Sequence, residues 1–260
     1  MNALEISDLT FSYPEQPVLE GVSLTIRPGE RVGLIGPNGA GKTTLFHSVC
    51  GVLKPNSGTI NLFGNAVVAG KFHPTVGLVF QYPDDQIFSP TVYDDIAFGP
   101  RNMGLVDSDV ESRVHEAMTL TGISELADRA PHHLSGGQKR MVAIAGIKAM
   151  RPELIIYDEP SANLDMRARR RLINFIQESE ETVLLSSHDL EMVVEICDRV
   201  ILLDGGKIIA DGDTYEIMGD KDLMEAHGLE KPHSMIYHVR GNHKHDDMVP
   251  ADHVHGDHIH

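Results

Sequence analysis

The stretch Gly36-Pro37-Asn38-Gly39-Ala40-Gly41-Lys42-Thr43-Thr44 constrains this chain more than any other. It follows the apolar run Val32-Gly33-Leu34-Ile35 and leads into Leu45-Phe46-His47-Ser48-Val49-Cys50. The spacing G-x-x-x-x-G-K-[ST] therefore falls between a predicted strand and a predicted helix, the context that this pattern requires. Gly39 and Gly41 let the backbone turn so that successive N–H groups point inward and cradle phosphate oxygens. A helix that opens near Lys42 adds the positive end of its dipole, which favours a polyanion. Lys42 supplies a mobile charge for β- and γ-phosphates, and the Thr43 hydroxyl can ligate Mg²⁺. The stretch predicts a nucleoside triphosphate site.

The 260 residues are enough for one large domain, or one domain with a subdomain and a tail. A net charge of −16 argues against nucleic acid as the main partner, because phosphate backbones demand a basic surface. It equally disfavours adsorption to anionic lipid. No apolar run approaches the roughly 18 residues of a membrane span. The amino terminus, Met1-Asn2-Ala3-Leu4-Glu5, predicts no secretory leader. Cys50 and Cys197 stand far apart without a partner motif and read as small buried apolar residues, as expected of a reducing, cytoplasmic setting.

Residues 3–27 alternate as half-buried strands, with Pro14 and Pro17 marking the turn between them. Tyr13, beside that turn, can stack on a base or simply pack. After the phosphate loop, a helix to about Cys50, a strand pair at 59–62 and near 67–68, and a buried strand at 76–80 are expected. Pro83, Pro90 and Pro100 then punctuate the chain, and helical periodicity follows at 109–121 and 138–150. Ser135 is placed to cap the second of these helices. The remaining expectations are strands at 154–159 and 182–186, helices at 166–179 and about 193–197, and a closing hairpin at 199–203 and 207–210. Strands alternating with helices predict an α/β fold with a largely parallel sheet and ligand sites at strand carboxyl ends.

Leu154-Ile155-Ile156-Tyr157 ends in Asp158-Glu159, a second and independent signal. Downstream of a phosphate loop, Asp158 is the residue type that holds Mg²⁺, and Glu159 is positioned to orient or deprotonate an attacking water. His188, at the end of the next strand, could reach the γ-phosphate or the water; a lone strand-end histidine carries little by itself.

With Leu134-Ser135-Gly136-Gly137-Gln138 in the same chain, residues 3–225 resemble an ABC-type ATPase subunit. The resemblance implies a RecA-like P-loop core with a mainly parallel sheet, an antiparallel β subdomain, and an α-helical subdomain at about 86–150 that carries the signature. The ATPase domain would be 1–226, and 227–260 a tail. It places the base-stacking aromatic at Tyr13, the γ-phosphate and Mg²⁺ sensor at Gln81, a conformational loop at Ser161–Asp165 and the switch histidine at His188. It also implies that two ATPase subunits face head to tail, with Ser135, Gly136, Gly137 and Gln138 of one completing the ATP site of the other.

Within that family, Phe80–Val92, Asp95–Pro100 and Val142–Gly146 are similar to energy-coupling factor (ECF) importers, especially the cobalt and nickel branch. Tyr82 departs from the more usual asparagine. The resemblance implies a peripheral subunit at the cytoplasmic face of the cell membrane, working with a membrane scaffold protein and a substrate-binding membrane protein. A vitamin importer of the same architecture is the alternative; a soluble, non-transport ABC ATPase is a more distant one. Nine of the fifteen histidines lie between His227 and His260. The pairs His243/His245, His253/His255 and His258/His260, with aspartates between them, suit Ni²⁺, Co²⁺, Cu²⁺ or Zn²⁺, for buffering or sensing. A solubilising tail has the same composition.

Overall fold

Short apolar strands buried on both faces build the central sheet. In the computed structural model, which describes residues 1–14 and 16–236, the strands are β1 (Leu4–Tyr13), β2 (Gln16–Ile26), β3 (Arg31–Ile35), β4 (Ser57–Leu62), β5 (Asn65–Ala66), β6 (Val76–Val79), β7 (Leu154–Asp158), β8 (Thr182–Ser186), β9 (Arg199–Asp204) and β10 (Lys207–Asp213). The helices are α1 (Lys42–Val49), α2 (Val92–Asn102), α3 (Asp107–Thr121), α4 (Gly136–Ala149), α5 (Met166–Gln177), α6 (Leu190–Ile196), α7 (Thr214–Gly219), α8 (Lys221–Ala226) and α9 (His233–Ile236).

One sheet has the order β10-β9-β3-β8-β7-β6, parallel except for β10 at its edge, and the other is antiparallel in the order β2-β1-β4-β5. On β7, Leu154 and Ile156 join one apolar core with the antiparallel sheet and α1, whereas Ile155 and Tyr157 join the core beneath the helices. Two-sided burial explains why this strand reads as a continuous apolar run. Packing continues past α8, since Leu229 and Met235 belong to the helical core. Among the described residues no helix is long and apolar enough to cross a membrane.

Three local readings differ from the pattern-based expectation. Helix α2 occupies the proline-punctuated region. Thr91 caps it by accepting from the Asp94 N–H, and Pro100 falls in its last turn, so that the one i→i−4 hydrogen bond it forfeits lies at the helix end. The partner of β4 is β5 at Asn65–Ala66, just ahead of the expected position. Pro17 lies inside β2 rather than in the turn.

Candidate active site

β3 lies between β8 and β9, so the loop after it opens where the carboxyl ends of the parallel strands converge. Gly36, at φ 153, needs to be glycine because a Cβ there would sit 1.9 Å from the Leu203 carbonyl oxygen. Gly41, at φ 105, forms the N-terminal junction of α1 and presses on Leu19 and Val18. The loop is therefore wedged against the β2 and β9 backbones, which holds its N–H groups in place.

The cavity at this point has a volume of about 300 Å³ and is lined by Asn38, Gly39, Ala40, Gly41, Lys42, Thr43 and Thr44 from the loop. From elsewhere in the chain come Tyr13, Gln16, Val18, Gln81, Asp158, Glu159 and His188. Lys42 donates to the Gly36 carbonyl at 2.7 Å and to that of Pro37 at 3.1 Å. Burial lowers its pKa, against the opposing pull of Glu159 and Asp158. Gly36 and Pro37 thus act through their carbonyls, which park the lysine across the loop.

Asp158 is tied on both oxygens. Oδ2 accepts the Thr43 hydroxyl at 2.8 Å and Oδ1 accepts the Ser186 hydroxyl at 2.7 Å. Ser186 is a residue that the sequence pattern did not single out; only the β7–β8 pairing, in which Asp158 faces Ser186, reveals it. Glu159 takes φ 46, a left-handed conformation that costs a side-chain-bearing residue energy. Its N–H is held there by the Ser186 carbonyl at 3.0 Å and hydroxyl at 3.2 Å. Its Oε2 accepts the His188 backbone N–H at 2.8 Å. Its Oε1 is buried, has no hydrogen-bond partner among the described residues, and lies 3.5 Å from His188 Nε2. A buried acceptor without a donor, beside an imidazole on the cavity wall, is where a water would be received and activated.

Tyr13 is half exposed on the cavity wall, and its ring packs perpendicular to that of Phe11 with centroids 5.0 Å apart, which anchors it beside the phosphate loop. Thr43 and Asp158 form an all-oxygen pair suited to a hard cation. The His-rich positions from His243 onward lie outside the described residues.

Ser135, Gly136, Gly137 and Gln138 do not line this cavity. They form the start of α4, where Ser135 Oγ accepts the Gln138 N–H at 3.3 Å and the Gln138 side chain accepts the Ser135 N–H at 3.0 Å. This capping box satisfies the Gln138 and Ser135 N–H groups and leaves those of Gly136, which is exposed, and half-buried Gly137 outside it.

A family model described as ABC transporter matches residues 19–162, more than half of the chain. The chain belongs to the ABC transporter family. A putative ABC transporter ATP-binding protein of Synechocystis is 56% identical over 90% of this chain and 82% of that protein. The energy-coupling factor transporter ATP-binding protein EcfA of Methanothermobacter thermautotrophicus is 46% identical over 88% of this chain and 76% of its own length. Among solved structures, cbiO1 from Clostridium perfringens, described as part of the ABC transporter complex cbiONQ, superposes with a TM-score of 0.77 at 33% identity, covering 92% of this chain and 99% of the other.

The chain is thus the ATP-hydrolysing subunit of an ECF-type ABC transporter, in which its turnover powers transport by a multi-subunit assembly.

Proposed function

We propose that the chain energises import of cobalt or nickel ions from the cytoplasmic face of the cell membrane, as one of two ATPase subunits that clamp ATP between them. The observation that carries the two-subunit reading is the separation of the phosphate cavity from the Ser135–Gln138 turn on the same chain. A helix N-terminus with exposed glycine N–H groups is an anion site in want of an anion. A second copy or a paralogue, arranged head to tail, supplies the ATP that completes it. The metal reading rests on the sequence of Phe80–Val92 and its likeness to the cobalt and nickel branch.

In the mechanism, Tyr13 stacks on the base and the loop N–H groups hold the phosphates. Lys42 leaves its carbonyl partners to meet the β- and γ-phosphates. Thr43, Asp158 and Gln81 would hold Mg²⁺, which supplies charge neutralisation for the phosphate oxygens when bound. Glu159 takes a proton from the attacking water through its unpartnered Oε1, and His188 steadies the same water or the γ-phosphate. Gln81 reports the presence of the γ-phosphate to the helical unit at about 86–150, within an ATPase body of residues 1–226.

The membrane scaffold docks on an apolar groove of about 490 Å³ beside that unit, lined by Phe72, Ile87, Phe88, Phe98, Ile147 and Met150. Phe88 and Phe98 are exposed at 66% and 49% and stack edge-to-face at 4.8 Å. Exposed aromatics gathered in one concavity mark a protein contact surface. Co-purification with its membrane partners, followed by uptake assays with cobalt and nickel, tests the assignment. A complex that accumulates a vitamin but neither ion would overturn it. For the tail of residues 227–260, we infer that His243, His245, His253, His255, His258 and His260 bind Ni²⁺ or Co²⁺. Calorimetry should show binding to the full chain and none to residues 1–236, a boundary that keeps the buried Leu229 and Met235.

A further inference from the structure

A buried cation joins the second turn of α4 to the segment that follows β6. Arg140 is 1% exposed, and its two terminal nitrogens donate to the carbonyls of Phe80 and Gln81, the second at 2.6 Å. Its Nε is buried without a hydrogen-bond partner, and no carboxylate of the described residues pairs with it. Burial lowers its pKa to about 10, which still leaves it charged at neutral pH.

A buried guanidinium without an anion is costly, and an apolar side chain of similar volume would fill the space at lower cost. What arginine offers instead is a rigid planar fork that fixes two consecutive carbonyls. Next to it, Lys139 repeats the connection by pairing with Asp84. Gln81 lines the phosphate cavity at one end of this unit, and the Ser135–Gln138 capping box lies at the other.

We propose that Arg140 is a positioning residue that makes the Ser135–Gly137 turn follow Gln81, so that ATP in this chain's own cavity presets this chain's turn for the ATP of the partner subunit. The proposal rests on the two-subunit reading above. Its consequence is that neither half-site closes independently of the other.

The test uses the full-length chain carrying Glu159→Gln, which binds ATP without turnover. ATP should convert it to a dimer, read by size-exclusion chromatography with light scattering. Adding Arg140→Lys keeps the cation but not the fork, and should raise the ATP concentration needed for dimerisation about tenfold. Arg140→Met, which fills the volume without hydrogen bonds, should raise it further. In both, the affinity for a fluorescent ATP analogue and the melting temperature should stay close to those of Glu159→Gln alone. With Glu159 intact, the same substitutions should lower kcat and leave KM nearly unchanged.

Dimerisation at unaltered ATP concentration in both double variants would overturn the proposal. So would a loss of dimerisation matched by equal losses of nucleotide binding and melting temperature, since that is what a purely structural arginine gives. If the Glu159→Gln chain itself fails to dimerise with ATP, the two-subunit reading falls, and this proposal with it.

Discussion

Glu159 shows how a single residue is made ready for chemistry. Its strained backbone is secured by Ser186, one carboxylate oxygen is occupied by the His188 N–H, and the other is left buried and free. Glutamine in its place keeps an acceptor for the backbone N–H but cannot take a proton from water. Glu159→Gln should therefore lower ATP turnover by at least about 100-fold, the scale of general-base catalysis, while ATP binding persists. A malachite-green phosphate assay alongside equilibrium nucleotide binding checks this, and wild-type turnover would remove Glu159 from the role of base. The acid pair and the phosphate loop are legible in the sequence because their chemistry is local: each is a strand end with fixed neighbours. Ser186 is not legible in that way. It acts on Asp158 across a strand pairing that joins residues 28 positions apart, and a serine at a strand end carries no signal of its own.

At the scale of elements, α5 and α6 show how the loop Ser161–Asp165 is tied to His188. Asp165 caps α5, and Arg169, on its next turn, forks onto Asp189, which follows His188 and caps α6. Burial alone would push the Asp189 carboxyl up, but hydrogen bonds from Arg169 and the Met192 N–H outweigh it and hold the pKa below the usual 3.8. The sign follows from that direction. A folded-state pKa below the unfolded one means that the stabilisation is complete above the unfolded value and is lost as the pH falls through the lowered one. Asp189→Asn should accordingly flatten the acid limb of the stability curve, measured by urea denaturation between pH 7 and pH 3 (roughly the range where carboxylates titrate). An unaltered acid limb would show that the pair contributes nothing.

Element boundaries were legible where the apolar period was clean, as in β3, β7 and β8. Helix α2 is hidden in the sequence because its prolines resemble breaks, although a cap at Thr91 and a proline near the helix end are compatible with a helix. The link between α4 and the Gln81 segment was equally hidden, since Arg140 looks in sequence like a basic residue on an exposed helix face.

The whole molecule keeps its two sequence motifs for ATP apart. Its phosphate cavity and its signature turn are both well formed, yet each lacks the other within one chain. If two copies pair head to tail, a Ser135→Arg chain and a Lys42→Ala chain are each inactive alone. Mixed, they regenerate one intact composite site. ATPase activity should then recover to at most about a quarter of wild type, since half of the dimers are mixed and each has one of two sites, and to less than that where the turn of the Lys42→Ala chain is not preset by ATP in its own cavity. A mixture as inactive as its components, together with no ATP-driven dimer of the Glu159→Gln chain, would mean that this chain pairs with a different ATPase subunit or does not pair at all.

The sequence by itself determined the phosphate loop, the acidic strand end, the signature and the family, because each is a short run whose chemistry depends on immediate neighbours. Only the tertiary structure decided which of those runs share a cavity. That outcome depends on the order β9-β3-β8-β7, which places Ser186 on Asp158 and His188 beside Glu159, and on the buried fork of Arg140. Contacts of this kind join distant segments through sheet order and burial, and neither is written in the spacing of residues along the chain.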